Sequence, residues 1–86
     1  MKLAAMISRL RSAGVPDWSY VTDGGLGGGE CLGIEPSGGG WSIYYSERGR
    51  KSPVESHPDE DSACDALVRH LDRMRREQGK PGIPGA

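Results

Sequence analysis

Four side chains stand out as capable of chemistry: Cys31, Cys64, His57 and His70. They are the residue types of a tetrahedral zinc site, and a Cys beside a His can form an activated nucleophile. Their spacing supports neither use, because no two of them show the C-x2–4-C or H-x3–5-H separation of a structural zinc site. Ordinary roles are expected instead. His57 flanks the start of a helix, His70 lies near its end where a cation is favourable, and each Cys falls among apolar neighbours where a thiol is inert. Glu30, Glu35, Glu47 and Glu55 could supply paired carboxylates, but they are spread over three strands, with Glu30 and Glu35 at opposite ends of one, and nothing marks a pair.

The loop Asp23-Gly24-Gly25-Leu26-Gly27-Gly28-Gly29 invites a phosphate-cradle reading. It departs from the dinucleotide fingerprint, since Gly25-Leu26-Gly27 is followed three residues on by Glu30 rather than glycine. No helix follows it to offer an N-terminus to a pyrophosphate. Gly49-Arg50-Lys51-Ser52 is not a P-loop, because the lysine does not directly follow the glycine. A flexible connection between strands is the expectation, and the chain reads as a non-enzyme with no cofactor and no metal.

The elements that position these residues begin with two amphipathic helices. Leu3, Met6, Ile7 and Leu10 share one face of a helix over about 2–13, stopped by Gly14 and Pro16. A stronger helix begins with Asp59 or Ser56 as cap, carries Glu60, Asp61 and Asp65 early and Arg69, His70, Arg73, Arg75 and Arg76 late, and ends at Gly79 and Pro81. Cys64, Leu67, Val68, Leu71 and Met74 form its buried stripe. Between the helices the period falls to two. Trp18, Tyr20 and Thr22 line a short first strand, and Glu30–Glu35 forms a second with Leu32 and Ile34 inward. Trp41–Glu47 forms a third, with Trp41, Ile43 and Tyr45 on one face and Ser42, Tyr44 and Ser46 on the other. Lys51–His57 returns as an edge strand, since it contains Pro53. The order α-β-β-β(-β)-α predicts an α+β two-layer sandwich, with an antiparallel sheet, both helices packed on one face and the other face wet or covered by a partner.

The 86 residues make one domain, 1–78, with a tail, 79–86, expected to be flexible except where Ile83 can lie back on the body. Twelve acids against 11 bases leave a net charge of −1, without the basic excess of a nucleic-acid binder. The apolar start Met1–Ile7 is broken at once by Ser8-Arg9-Leu10-Arg11, so no secretory h-region forms, and no stretch approaches a membrane span. The chain is expected in the cytoplasm, with both thiols reduced.

The element order is also that of double-stranded-RNA-binding domains, which present a basic cluster at the start of their second helix. Here Asp59-Glu60-Asp61 stands at that position and would repel phosphate. A nucleic-acid-binding module is therefore the alternative reading.

Tyr44-Tyr45-Ser46-Glu47-Arg48-Gly49 carries a more specific likeness. With the helix ending Gly14-Val15-Pro16, the loop Asp23-Gly24-Gly25 and the helix start Asp61-Ser62-Ala63-Cys64, it resembles a family of small bacterial immunity proteins. These are encoded beside polymorphic toxins, including toxins with NAD-glycohydrolase domains. The likeness covers about residues 10–74 and departs from the family pattern at Ser56-His57-Pro58, where an aromatic is usual. It implies a non-catalytic protein that binds a cognate toxin and blocks its active site. The exposed loop Asp23–Glu30 and turn Tyr45–Arg50 are best placed for such contact, so the expected contact residues are Asp23, Leu26, Glu30, Tyr45, Glu47, Arg48 and Arg50, with Tyr44 beside the turn. Tyr and Arg are favoured anchors at protein interfaces, and Asp23, Glu30 and Glu47 would suit a basic nucleotide-binding site.

Overall fold

The computed structural model describes residues 1–86. Helix α1 spans Leu3–Ser12 and buries Met6 and Leu10 from the expected face. It closes in a Schellman arrangement. Gly14, at φ 81°, donates its N–H to Arg11 O, and the Val15 N–H reaches back to Leu10 O at 2.9 Å. A 3-10 turn, Asp17–Ser19, follows Pro16. Strands β1 (Tyr20–Val21), β2 (Cys31–Ser37), β3 (Gly40–Glu47) and β4 (Arg50–His57) then form one sheet in the order β1-β2-β3-β4, and α2 (Glu60–Glu77) completes the chain.

The α+β class is as expected, but the sheet is mixed. β2, β3 and β4 pair antiparallel, whereas β1 runs parallel to β2 through Tyr20↔Leu32 and Val21↔Gly33. After Val21 the chain makes a glycine-rich excursion, 22–30, and re-enters the sheet in the same direction instead of turning back as a hairpin. The first strand is shorter than its alternation suggested. Pro16, Asp17 and Ser19 build a turn, with both the N–H and the hydroxyl of Ser19 donating to Pro16 O at 3.1 and 2.7 Å. Trp18 therefore sits on the turn and not on an inward strand face, and it is 77% exposed.

One core joins the two layers. Met6 and Leu10 of α1, Ile34 and Ile43 of the sheet and Leu67 of α2 are fully buried in it. α2 packs across β2, β3 and β4, and α1 packs against α2. The helix starts are tied together by Leu3 N–H donating to Glu60 Oε2 at 2.7 Å and by a Lys2–Asp61 ion pair at 3.2 Å. Asp59 caps α2, accepting from the Ser62 N–H at 2.8 Å, so of the two candidate caps Asp59 is the one used. Pro53 lies on an edge strand, as expected. β4 bulges there, with Ile43 opposite Glu55 and Tyr44 opposite Pro53, which leaves Val54 over. Ile83 lies back on the body: it is 2% exposed and its N–H donates to Asp72 Oδ1 at 2.7 Å.

The second face of the sheet is not simply wet. Cys31, Tyr44 and Ser46 point to it and are all buried, because the glycine-rich excursion folds back over them. No helix is long and apolar enough to cross a membrane.

Candidate functional site

The β3–β4 hairpin closes at the pair Glu47↔Arg50, leaving Arg48 and Gly49 as a two-residue loop. Both have positive φ, 50° and 77°, as a type I′ turn requires. Gly, Asn and Asp are the usual occupants of the first position, because a Cβ is disfavoured there unless a short polar side chain can hydrogen-bond locally. Arg48 is the one non-glycine residue of the chain in this region of backbone space. Its side chain is exposed and makes no internal ion pair or hydrogen bond.

Around the tip, the register Cys31↔Ser46 places Glu30 close to Glu47. The Tyr45 hydroxyl donates to Glu30 Oε2 at 3.0 Å, and its pKa is raised by desolvation and by that carboxylate. Arg50 is exposed on the first residue of β4. Five of the residues expected from sequence (Glu30, Tyr45, Glu47, Arg48 and Arg50) therefore gather at one end of the sheet. Trp18 stands beside Glu30 at that same end. Sequence periodicity missed it, because Trp18 and Tyr20 mimic strand alternation. The signal that could have found it is the turn chemistry of Pro16-Asp17-Trp18-Ser19.

The other three expected residues have a different place. Asp23 accepts from the Gly25 N–H at 2.9 Å and shapes the loop into an Asx turn. Gly25 O accepts from the Tyr44 hydroxyl at 2.7 Å, and Gly27 N–H donates to Ser46 Oγ at 3.0 Å. Leu26, between these two anchors, is 50% exposed and remains available. Tyr44 is only 1% exposed, so it cannot be a contact residue and serves instead as the pillar under the loop. Burial, with the charges of Glu35 and Asp23 nearby, pushes its phenol up to about 12. Lys51 sits 4.8 Å from the centroid of the Tyr44 ring and pairs with Glu35 at 3.2 Å, covering the ring's open side.

The residues with chemical potential fall elsewhere. Glu55 Oε1 lies 2.7 Å from His57 Nε2 and Glu55 Oε2 lies 3.3 Å from His70 Nε2, so one carboxylate bridges both rings. The Arg73 guanidinium donates to His70 Nδ1 at 2.9 Å, which makes the Nε2–H of a neutral His70 the donor to Glu55. This chain of contacts fastens β4 to α2. The carboxylate fills the space between the two rings, and no three candidate ligands converge on one point. Cys31 and Cys64 are free and buried. Burial raises both thiols, Cys64 to about 11, so neither forms a thiolate near neutral pH.

Comparison of the chain with protein-family models, with curated proteins and with solved structures found no match.

Proposed function

We propose that this chain is a non-catalytic inhibitor: an immunity protein that docks on a cognate toxin domain in the cytoplasm and covers its active site, led by the β3–β4 hairpin tip. The observation that carries this reading is Arg48. A long cation held at φ 50°, at a position suited to Asn or Gly, stabilises nothing inside the fold. Strained backbone that the fold does not need tends to mark a functional contact. The tip is also presented rigidly, since β3 pairs on both sides and anchors it. A rigid anchor loses little entropy on binding.

Glu30 and Glu47 flank Arg48 with negative charge and suit a basic nucleotide-binding cleft, such as an NAD-glycohydrolase toxin would offer. In this reading both helices act as the supporting layer behind the sheet. The acidic start of α2 weighs against the RNA-binding alternative, and its acids are engaged with α1 through Glu60 and Asp61.

The test is titration of purified protein against the product of the adjacent toxin gene. A stoichiometric complex that abolishes toxin activity is expected, and Arg48→Glu or Glu47→Arg should weaken it about tenfold or more, as for a hot-spot charge. A neighbouring toxin that is neither bound nor inhibited overturns the reading.

A further inference from the structure

The 3-10 turn and the C-terminal end of α2 enclose a groove of about 150 Å³ that adjoins the hairpin tip only through Glu30. We propose that this groove receives an extended segment of a partner protein in which an apolar side chain is followed closely by a carboxylate.

Its floor is apolar. Val15 and Leu71 are each 4% exposed at its base, with Met74 beside them. The volume is about that of a cavity that takes a benzene-sized group, which corresponds to one large apolar side chain. One wall is Trp18, whose 77% exposure leaves a large apolar ring in water that the fold could have buried. The turn that carries it is fixed at both ends. Arg11 grips Asp17 through two bonds of 3.0 and 3.1 Å, and Ser19 bonds back to Pro16. Trp18 is thus presented by rigid backbone and not by a loose loop, which lowers the entropy lost on contact.

The opposite wall supplies the charge. α2 ends in a Schellman motif: Gly79 N–H donates to Arg76 O at 3.1 Å and Lys80 N–H to Arg75 O at 2.8 Å. This closure occupies the Arg75 and Arg76 carbonyls and so reduces the partial negative charge that the helix end would turn toward an anion. It also folds Lys80 back beside Arg75 at the groove's rim. Arg75 Nε is engaged with Pro81 O at 3.0 Å, which aims the guanidinium and leaves its other donors free. Lys80 has no ion-pair partner in the chain. The one acid at the groove, Glu30, already accepts a hydrogen bond from the Tyr45 hydroxyl at 3.0 Å. Two cations over an apolar floor, faced by an exposed Trp, complement a carboxylate adjoining an apolar anchor. A protein segment fits this open-sided cleft because Trp18 extends the surface beyond the single side-chain pocket.

The proposal rests on the reading of the chain as a partner-binding protein, and its test is separable from the toxin assay. The intact chain would be panned against a random peptide library displayed on phage. The expected result is enrichment of peptides with a large apolar residue next to, or within about three residues of, Asp or Glu. A synthetic peptide of that sequence should shift the indole N–H resonance of Trp18 and leave that of Trp41 in place. Trp18→Ala should weaken its binding about tenfold or more. Lys80→Glu should weaken it several-fold, with the difference shrinking at high salt. Trp18→Ala should melt like the wild type, since the ring is exposed, so loss of binding would not reflect unfolding. No enrichment, a basic motif, resonance shifts elsewhere, affinity unchanged by Trp18→Ala, or self-association through Trp18 would each overturn the proposal. Peptide binding without toxin inhibition would sink only the immunity reading. Inhibition that tolerates both groove substitutions, in the absence of peptide binding, would sink only the groove.

Discussion

The Asp23–Glu30 loop and the Arg48-Gly49 tip look alike in sequence, since both are glycine-containing turns flanked by charge. The fold treats them oppositely. The loop is tied down at Gly25 and Gly27 by Tyr44 and Ser46, and its glycines let backbone lie flat on the sheet. The tip is tied by nothing except its strands, and it keeps an Arg where a smaller residue would fit better. Glycine in the first region serves close packing, and in the second it serves presentation. A recognition surface is to be sought where the chain accepts strain without internal return, at the tip, and not where polar groups are already satisfied.

The sharpest way to break the tied region is Gly33→Ala. A Cβ at Gly33 would run into the ring of Tyr44, which cannot swing away because it is buried and its hydroxyl is held by Gly25. Alanine suits a strand better than glycine, so any loss must come from this clash. Destabilisation of about 3 kcal/mol is expected in denaturant unfolding. A neutral or stabilising outcome would show that the loop does not press Tyr44 onto the sheet.

Tyr44→Phe is milder. It removes the hydroxyl and leaves the ring, so the loss is one hydrogen bond to Gly25 O, worth about 1 kcal/mol. Amide exchange at Gly27 should accelerate beyond that global change if the loop opens as a unit. Uniform acceleration over the whole sheet would mean that loop and sheet unfold together.

The contrast between these regions also marks how far the sequence could be read. The helices were legible because each carries a full apolar stripe and a glycine stop, and both ends close at Gly14 and Gly79 as the pattern implied. β2, β3 and the edge position of β4 followed from alternation and from Pro53. The parallel β1 was not legible. Two residues carry too little pattern to set a strand's direction, and the glycine-rich excursion encodes no path of its own. Tyr44 was misread for a related reason. Alternation assigns it correctly to the face away from Ile43, but it cannot show that a distant loop covers that face. Trp18 was misplaced because a three-residue turn and the start of a strand share the same spacing. The charged tip at Glu47-Arg48-Gly49 was legible as a turn, while the strain at Arg48 needed coordinates.

At the free region the expected sign reverses. Arg48→Asn places a residue suited to positive φ in the I′ turn and should stabilise the fold by about 0.5–1 kcal/mol. The same change should weaken toxin binding. A rise in thermal midpoint together with a loss of affinity would show a residue kept for its side chain at the expense of its backbone. If Arg48→Asn destabilises, Arg48 has an internal partner and the contrast with the loop fails.

The smallest effect concerns a third fastening, the Glu55 bridge between β4 and α2. Hydrogen bonding to His57 holds the Glu55 carboxyl below its ordinary value of 4.5, with His70 adding to the shift. A carboxyl depressed in the folded state binds its proton more tightly in the unfolded chain, so protonation favours unfolding. Its contribution is therefore complete above about pH 4.5 and is lost as pH falls through the lower folded value. The group is partly exposed, which limits the size of the effect through solvent screening. Comparing wild type with Glu55→Gln by urea unfolding from about pH 5 downward should show a gap that closes as the solution becomes more acidic than pH 4.5. The β3–β4 tip should be indifferent to this substitution, because β3 anchors it from the other side. A gap that persists unchanged into acid would mean that Glu55 is not held as a carboxylate between the two rings. Loss of partner binding in Glu55→Gln at neutral pH would mean instead that the tip depends on the whole length of β4, so that the free region is not independent of the tied one.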